Sequence, residues 1–127
     1  MADVNRGNRP LSPHLTIYKP QLHSALSILF RIAGVGLTLP ALLIVWLFLA
    51  AATSEEAFAT AEWWLTSYLG DLIMLGALAG VVYQLLGGIR HLWWDTGRGF
   101  NMPLVHRSGH ILLAGTAVVT LLVVLIS

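Results

Sequence analysis

The residues able to do chemistry in this 127-residue chain gather in two short runs and one pair. The first run is Tyr83-Gln84-Leu85-Leu86-Gly87-Gly88-Ile89-Arg90-His91-Leu92-Trp93-Trp94-Asp95. It closes an apolar stretch with Arg90, His91 and Asp95 set against two tryptophans. Ionisable groups at a membrane boundary hold a head group, a cofactor, a redox substrate or a partner protein. Gln84 stands two helical turns before His91 and so shares its face. The second run is Ser24, Ser27 and Arg31, whose spacing also places them on one helical face. A hydroxyl one turn from a guanidinium suits a quinone carbonyl or a head-group phosphate. The plainer alternative has Arg31 snorkelling to the interface and the serines bonded to backbone carbonyls, and spacing alone favours it. The pair is His106 and His110, one helical turn apart. Two imidazoles on one face can serve a metal or a haem. No carboxylate or third ligand lies near them in sequence, so they read better as interface histidines. Nothing in the sequence marks His14 or His23 as ligands. Asp95 is expected to pair with Arg90, Arg98 or His91. Trp93 and Trp94, with Trp63 and Trp64 on the far side, read as interface anchors.

The elements that must position these residues are membrane helices. The chain is 57% hydrophobic and 10% charged, with a net charge of +1. That is the composition of one small integral membrane unit. Near-neutral charge argues against nucleic acid as a partner. Cysteine is absent, so there are no disulfides and no thiolate ligands for iron–sulfur or zinc centres. No nucleophile–base pair, phosphate loop or paired carboxylates support a hydrolase or kinase. Residues 32–53 carry no charge and span about 33 Å as a helix, enough for a hydrocarbon core. Residues 72–89 and 108–127 form two further spans, and Pro40 is expected to kink the first. With their extensions the spans run about 24–53, 64–92 and 106–127. Gly76, Gly80, Gly87 and Gly88 give the second span a small-residue face for helix packing. Gly97 and Gly99 tighten the loop that follows it.

Arg6, Arg9, Lys19 and Arg31 precede or open the first span, and Arg90, Arg98 and Arg107 flank the loop before the third. The loop between the first two spans holds Glu55, Glu56, Glu62 and Asp71 and no base. The positive-inside rule then places the N-terminus in the cytoplasm or matrix and the C-terminus opposite. Ala50-Ala51-Ala52 resembles a signal-cleavage site, but the apolar run before it is too long for one. Residues 1–23 form an N-terminal segment whose prolines favour an extended path. Leu11, Leu15, Ile17 and Tyr18 are too apolar for a free tail, so docking on a partner is expected. Residues 24–127 form the three-helix anchor.

Three ordered motifs carry a resemblance over nearly the whole chain. They are Arg9-Pro10-Leu11-Ser12-Pro13-His14-Leu15-Thr16-Ile17-Tyr18, then Ser27-Ile28-Leu29-Phe30-Arg31-Ile32-Ala33-Gly34, then Gly88-Ile89-Arg90-His91-Leu92-Trp93-Trp94-Asp95. The sequence resembles the cytochrome b membrane-anchor subunit of succinate dehydrogenase, respiratory complex II. The resemblance implies an all-α membrane protein whose three transmembrane helices form part of a heteromeric bundle with a second, small membrane-anchor chain. It implies a non-autonomous subunit, with no catalysis by the chain alone. Flavoprotein and iron–sulfur subunits would dock on the cytoplasmic or matrix face and pass electrons from succinate to ubiquinone, linking the citric acid cycle to the respiratory chain. By position, Ser27 and Arg31 match the family's quinone-site residues from this anchor, and Arg31 and His91 fall near the haem. The absence of a transit-like leader before Arg9 favours a bacterial inner membrane over a mitochondrial one.

Two positions depart from the family pattern. The histidine that usually ligates haem b from this anchor stands seven residues before the position of His91, and here it is Gln84. A carboxamide is a poor iron ligand beside imidazole. A histidine commonly precedes the first-helix arginine, and here it is Phe30. Three outcomes stay open: a complex without haem, a haem held by the partner's ligand plus an alternative such as His91, or a lipid in the pocket. The residues favour the absence of a normal bis-histidine haem. A fumarate reductase anchor running in reverse, and a non-redox membrane scaffold or small transporter component, are the competing functions.

Overall fold

The computed structural model describes Gly7 and residues 10–127; Arg6 and Arg9, with the start of the N-terminal signature, lie outside the described residues. Among those described there are helices and no strands. A short 3-10 turn, His14–Ile17, interrupts the extended N-terminal path, where no helical turn was expected. Ser12 Oγ accepts from the His14 amide at 3.2 Å, and the Thr16 hydroxyl donates to the Pro13 carbonyl. Such local bonds are what short polar side chains next to proline offer the chain. Leu11, Leu15, Ile17 and Tyr18 all stay exposed around this turn.

Helix α1, Leu22–Gly36, begins just after Pro20, which can open a helix but not continue one. Helix α2, Thr38–Thr53, continues it, and together they form one apolar span of 32 residues. The break falls at Leu37. Its amide still donates to the Ala33 carbonyl at 3.0 Å, and its carbonyl accepts from Ala41 at 3.2 Å. Pro40 has no N–H for the carbonyl of Gly36, so the ladder lacks a bond there, and the helix is interrupted at Leu37, three residues earlier.

A separate helix α3, Glu55–Leu65, follows at once. Ser54 caps it by accepting from the Ala57 amide at 3.1 Å, and Glu55 and Glu56 complement the positive end of its dipole. Helix α4, Tyr68–Asp95, is capped by Ser67, which accepts from Gly70 at 3.2 Å. The second span therefore starts at Tyr68. Trp63 and Trp64, read as its outer anchors, belong to α3, where their rings meet edge to face at 5.2 Å. Gly97 and Gly99 adopt positive φ (76° and 83°) and turn the chain into α5, Met102–Ile126.

Helices α1, α4 and α5 pack together, while α2 and α3 fold against each other and the start of α4. A small core of Leu26, Tyr83 and Leu112, flanked by Leu22, Phe30, Ala33 and Leu86, joins the first three. Glycine permits the close approach: a Cβ on Gly109 would lie 2.8 Å from Leu26 Cδ1, and one on Gly87 would press 2.5 Å from the Phe30 ring. Most large apolar side chains face outward, those of the first span above all. That exposure matches a chain whose surroundings are lipid and other helices.

Candidate functional site

The site is built where α1, α4 and the start of α5 cross. On α1, His23, Leu26, Ser27 and Phe30 recur at the helical period. On α4, Tyr83, Gly87, Arg90, His91 and Trp94 do the same. These side chains, with Val105 and Leu112 of α5, line a cavity of about 220 Å³.

Four polar ties hold the crossing. Tyr83 donates its hydroxyl to the Leu26 carbonyl at 2.7 Å, in a buried position. Gln84 Nε2 donates to the Phe30 carbonyl at 2.6 Å. Arg90 Nε donates to Ser108 Oγ at 2.9 Å, and Arg90 Nη2 to the Val105 carbonyl at 3.0 Å. The Arg90 guanidinium also lies 4.1 Å from the centre of the Trp94 ring, a cation–π arrangement. Arg90 thus joins α4 to the first turn of α5. Its expected partnership with Asp95 is not formed, because two acceptors on α5 and the Trp94 face satisfy it. Asp95 stays exposed at the end of α4.

Aromatic edges finish the wall. Phe30 lies over Gly87, which has no side chain to block it. The Phe30 ring meets His91 at 5.2 Å and Tyr83 at 6.1 Å, and His91 in turn meets Trp94 at 5.4 Å. The cavity presents the Ser27 hydroxyl, the His23 and His91 imidazoles and a fixed guanidinium, while the Tyr83 hydroxyl is committed to the Leu26 carbonyl. That suits a planar molecule bearing hydrogen-bond acceptors.

Of the residues singled out from sequence, Ser27 and His91 line the cavity together. Arg31 sits one turn beyond Ser27 on the same helix, is exposed, and has no polar partner among the described residues. It stands beside the cavity and not in its wall. His106 and His110 split: His106 is half-buried with its ring 6.1 Å from that of His23, and His110 is exposed. Among the described residues no three His, Cys, Asp or Glu side chains gather as a metal site. Trp94, read as an anchor, is a wall residue. Sequence reasoning passed over His23 and Tyr83. The signal for His23 was its place one turn before Ser27, which puts His23, Ser27 and Arg31 on one face.

The chain matches the family described as "Succinate dehydrogenase/Fumarate reductase transmembrane subunit" over residues 5–123. It belongs to that family. A protein of Paracoccus denitrificans named succinate dehydrogenase cytochrome b556 subunit is 45% identical over 126 residues, covering 99% of this chain and 97% of the relative. A Rickettsia conorii protein of the same name is 38% identical, covering 90% and 89%. The succinate dehydrogenase cytochrome b560 subunit of Reclinomonas americana is also 38% identical, covering 91% and 83%. As a family member the chain is a transmembrane subunit of an oxidoreductase complex and not an enzyme by itself.

The relatives' names imply a b-type haem, and the residues here can be set against one. The position that the resemblance assigns to a haem-binding histidine is Gln84, whose amide is engaged with the α1 main chain. At Gly34 an added Cβ would lie 3.0 Å from the same Nε2, so the amide fills the seam between α1 and α4. Phe30 fills the neighbouring space over Gly87. These residues do not fit a haem ligated from this position.

Proposed function

We propose that the chain is the membrane-anchor subunit of a succinate:quinone oxidoreductase and forms part of the site where ubiquinone is reduced. The observation that carries this reading is the cavity at the α1–α4–α5 crossing, with Ser27 in its wall and Arg31 one turn away. The Ser27 hydroxyl donates to a quinone carbonyl. Arg31, free of any polar partner among the described residues, stabilises the negative charge that grows on the quinone oxygens as electrons arrive. Electrons enter from an iron–sulfur partner, since this chain has no thiolate to hold a cluster. The relatives named above are all called succinate dehydrogenase subunits, which favours quinone reduction over the fumarate reductase direction.

The partners follow from the surfaces. Exposed Leu11, Leu15, Ile17 and Tyr18 give the N-terminal segment an apolar face for the iron–sulfur and flavoprotein subunits. Gly76 and Gly88 have open space where a Cβ would be, which leaves room for a helix of a second anchor chain. Arg90, Arg98 and Arg107 flank the loop before α5, and with Arg31 at the start of the first span the positive-inside rule favours the cytoplasm or matrix for that end and the N-terminus, with the C-terminus opposite.

The complex co-expressed with its partner chains provides the test. Arg31→Ala should leave it assembled and slow succinate-driven quinone reduction about a hundredfold, the usual cost of one preorganised donor. An unchanged rate sinks the assignment. We further propose that this complex lacks the usual bis-histidine haem. A reduced-minus-oxidised spectrum with a pyridine extract should show no low-spin haem b stoichiometric with the chain, and a full band overturns that reading.

A further inference from the structure

Ring reduction of a quinone takes up protons as well as electrons, and neither Ser27 nor Arg31 is suited to release one near neutral pH. His23 is. It belongs to the cavity wall, four residues before Ser27 on α1. Its Nδ1 is sealed from solvent and has no hydrogen-bond partner. A nitrogen so sealed is reached neither from the cavity nor by bulk water, so proton exchange at the cavity falls to the other ring nitrogen, Nε2. The ring of His106, on α5, stands 6.1 Å away, edge to face at 74°. No hydrogen bond joins the two rings, which meet edge to face. His106 is half-buried, beside exposed Arg107. The pair therefore leads from the cavity wall toward the basic rim of the molecule.

We propose that His23 is a proton donor to the bound quinone and that His106 reloads it from solvent. The inference rests on the quinone reading above and deepens it. Two electrons arrive one at a time from the iron–sulfur partner and enter the quinone ring. At one carbonyl oxygen an O–H bond forms as an N–H bond of the His23 imidazolium breaks, and that bond's electron pair stays on the ring nitrogen. His106 then returns a proton to His23 and takes one from bulk water. The second oxygen takes its proton from water at the mouth of the cavity, so two electrons and two protons give the quinol. Imidazole suits the task because it gains and loses a proton near physiological pH. The titratable groups that share the cavity wall with His23 are Tyr83, Arg90 and His91 of α4, and the His106 ring of α5 stands beside it. Arg90 is directed into Ser108 and the Val105 carbonyl, which leaves His106 as the exchangeable partner on α5.

The test uses the whole membrane-extracted complex, with rates normalised to its flavin content. Ubiquinone reduction should fall as pH rises through the imidazole range. In His23→Gln the rate should drop at least about tenfold at pH 6, through kcat and not KM, and the inflection should vanish. His106→Gln should keep part of the rate and shift the inflection. Exogenous imidazole should restore His23→Ala, an effect that a merely structural histidine would not show. If His23→Gln does not assemble, the His106→Gln profile decides alone, and an unshifted profile overturns the relay. A normal rate and profile in His23→Gln, with Ser27→Ala inactive, overturns the relay and leaves the quinone site standing. Normal quinone reduction in Ser27→Ala defeats the quinone reading itself.

Discussion

The two ends of this helix bundle are held together by different physics. At the cavity end, four side-chain hydrogen bonds cross between helices, from Tyr83, Gln84 and Arg90 to backbone and hydroxyl acceptors. At the acidic end, around α3, the side-chain hydrogen bonds among the described residues are local. Thr53, Thr60 and Thr66 bond back to carbonyls four residues earlier, and Ser54 and Ser67 cap the helices that follow them. What brings the acidic end together is small size: Ala61 is fully buried, and a Cβ on Gly70 would collide with the carbonyl oxygens of Trp64 and Leu65. Water does not drive helices together inside a bilayer, so packing and interhelical polar bonds must specify the arrangement. The cavity end uses both, and the acidic end relies on packing. A site that must hold a polar substrate in fixed geometry belongs where orientation is specified by directional bonds.

The sharpest way to break this contrast is to crowd the cavity end. Gly87→Leu would drive a branched side chain into the Phe30 ring. Overpacking of this kind costs about 3 kcal/mol. The expected outcome is loss of the assembled complex from detergent extracts, seen as absence of co-purifying partner chains. Gly36→Leu is its control, since an added Cβ there meets no atom within 4 Å. If both variants assemble equally well, glycine at 87 is not what permits the α1–α4 contact.

Arg90→Leu probes the polar ties directly. It removes two hydrogen bonds to α5 and the contact with Trp94. Interhelical bonds in membranes contribute about 0.6 kcal/mol each on average, and a partly desolvated cation–π contact about 1, so the loss should be about 2 kcal/mol. A clear fall in the melting temperature of the solubilised complex checks it. No change would mean that α5 is fixed by its glycine contacts, Gly109 on Leu26 above all, and the contrast between the ends would weaken.

Which parts of this architecture the sequence revealed follows from the same physics. Long uncharged runs mark helices whatever their neighbours, so three spans were readable. Helix α3 was read as a loop, with its last residues, Trp64 and Leu65, taken into the second span, although Ser54 followed by Glu55 and Glu56 is a capping signal. The apolar Trp63-Trp64-Leu65 run bridged the boundary and hid the turn. At the site, helical spacing was enough to put Ser27 beside Arg31. It was not enough to show that Arg31 points past the cavity, because that depends on where α4 crosses α1. Asp95 and Arg90 looked like an ion pair for the same reason: nearness in sequence is visible, and the acceptors on α5 are not. The bond from Gln84 to the Phe30 carbonyl needs the close approach at Gly34, which only the packed helices reveal.

The smallest expected effect tests the acidic end. Thr60 donates to the Glu56 carbonyl on an exposed face of α3. That carbonyl lies on the exposed first turn, where water can replace the hydroxyl. A threonine bonded back along its own helix adds nothing between helices, and alanine has the higher helix propensity. Thr60→Ala should therefore change the stability of the complex by less than about 0.5 kcal/mol in either direction. Its melting temperature and quinone reduction rate should match the parent. If Thr60→Ala instead destabilises the complex as much as Arg90→Leu does, α3 must be held by a polar contact with a partner chain. The acidic end would then be specified by directional bonds as well, with its acceptors on another protein of the complex.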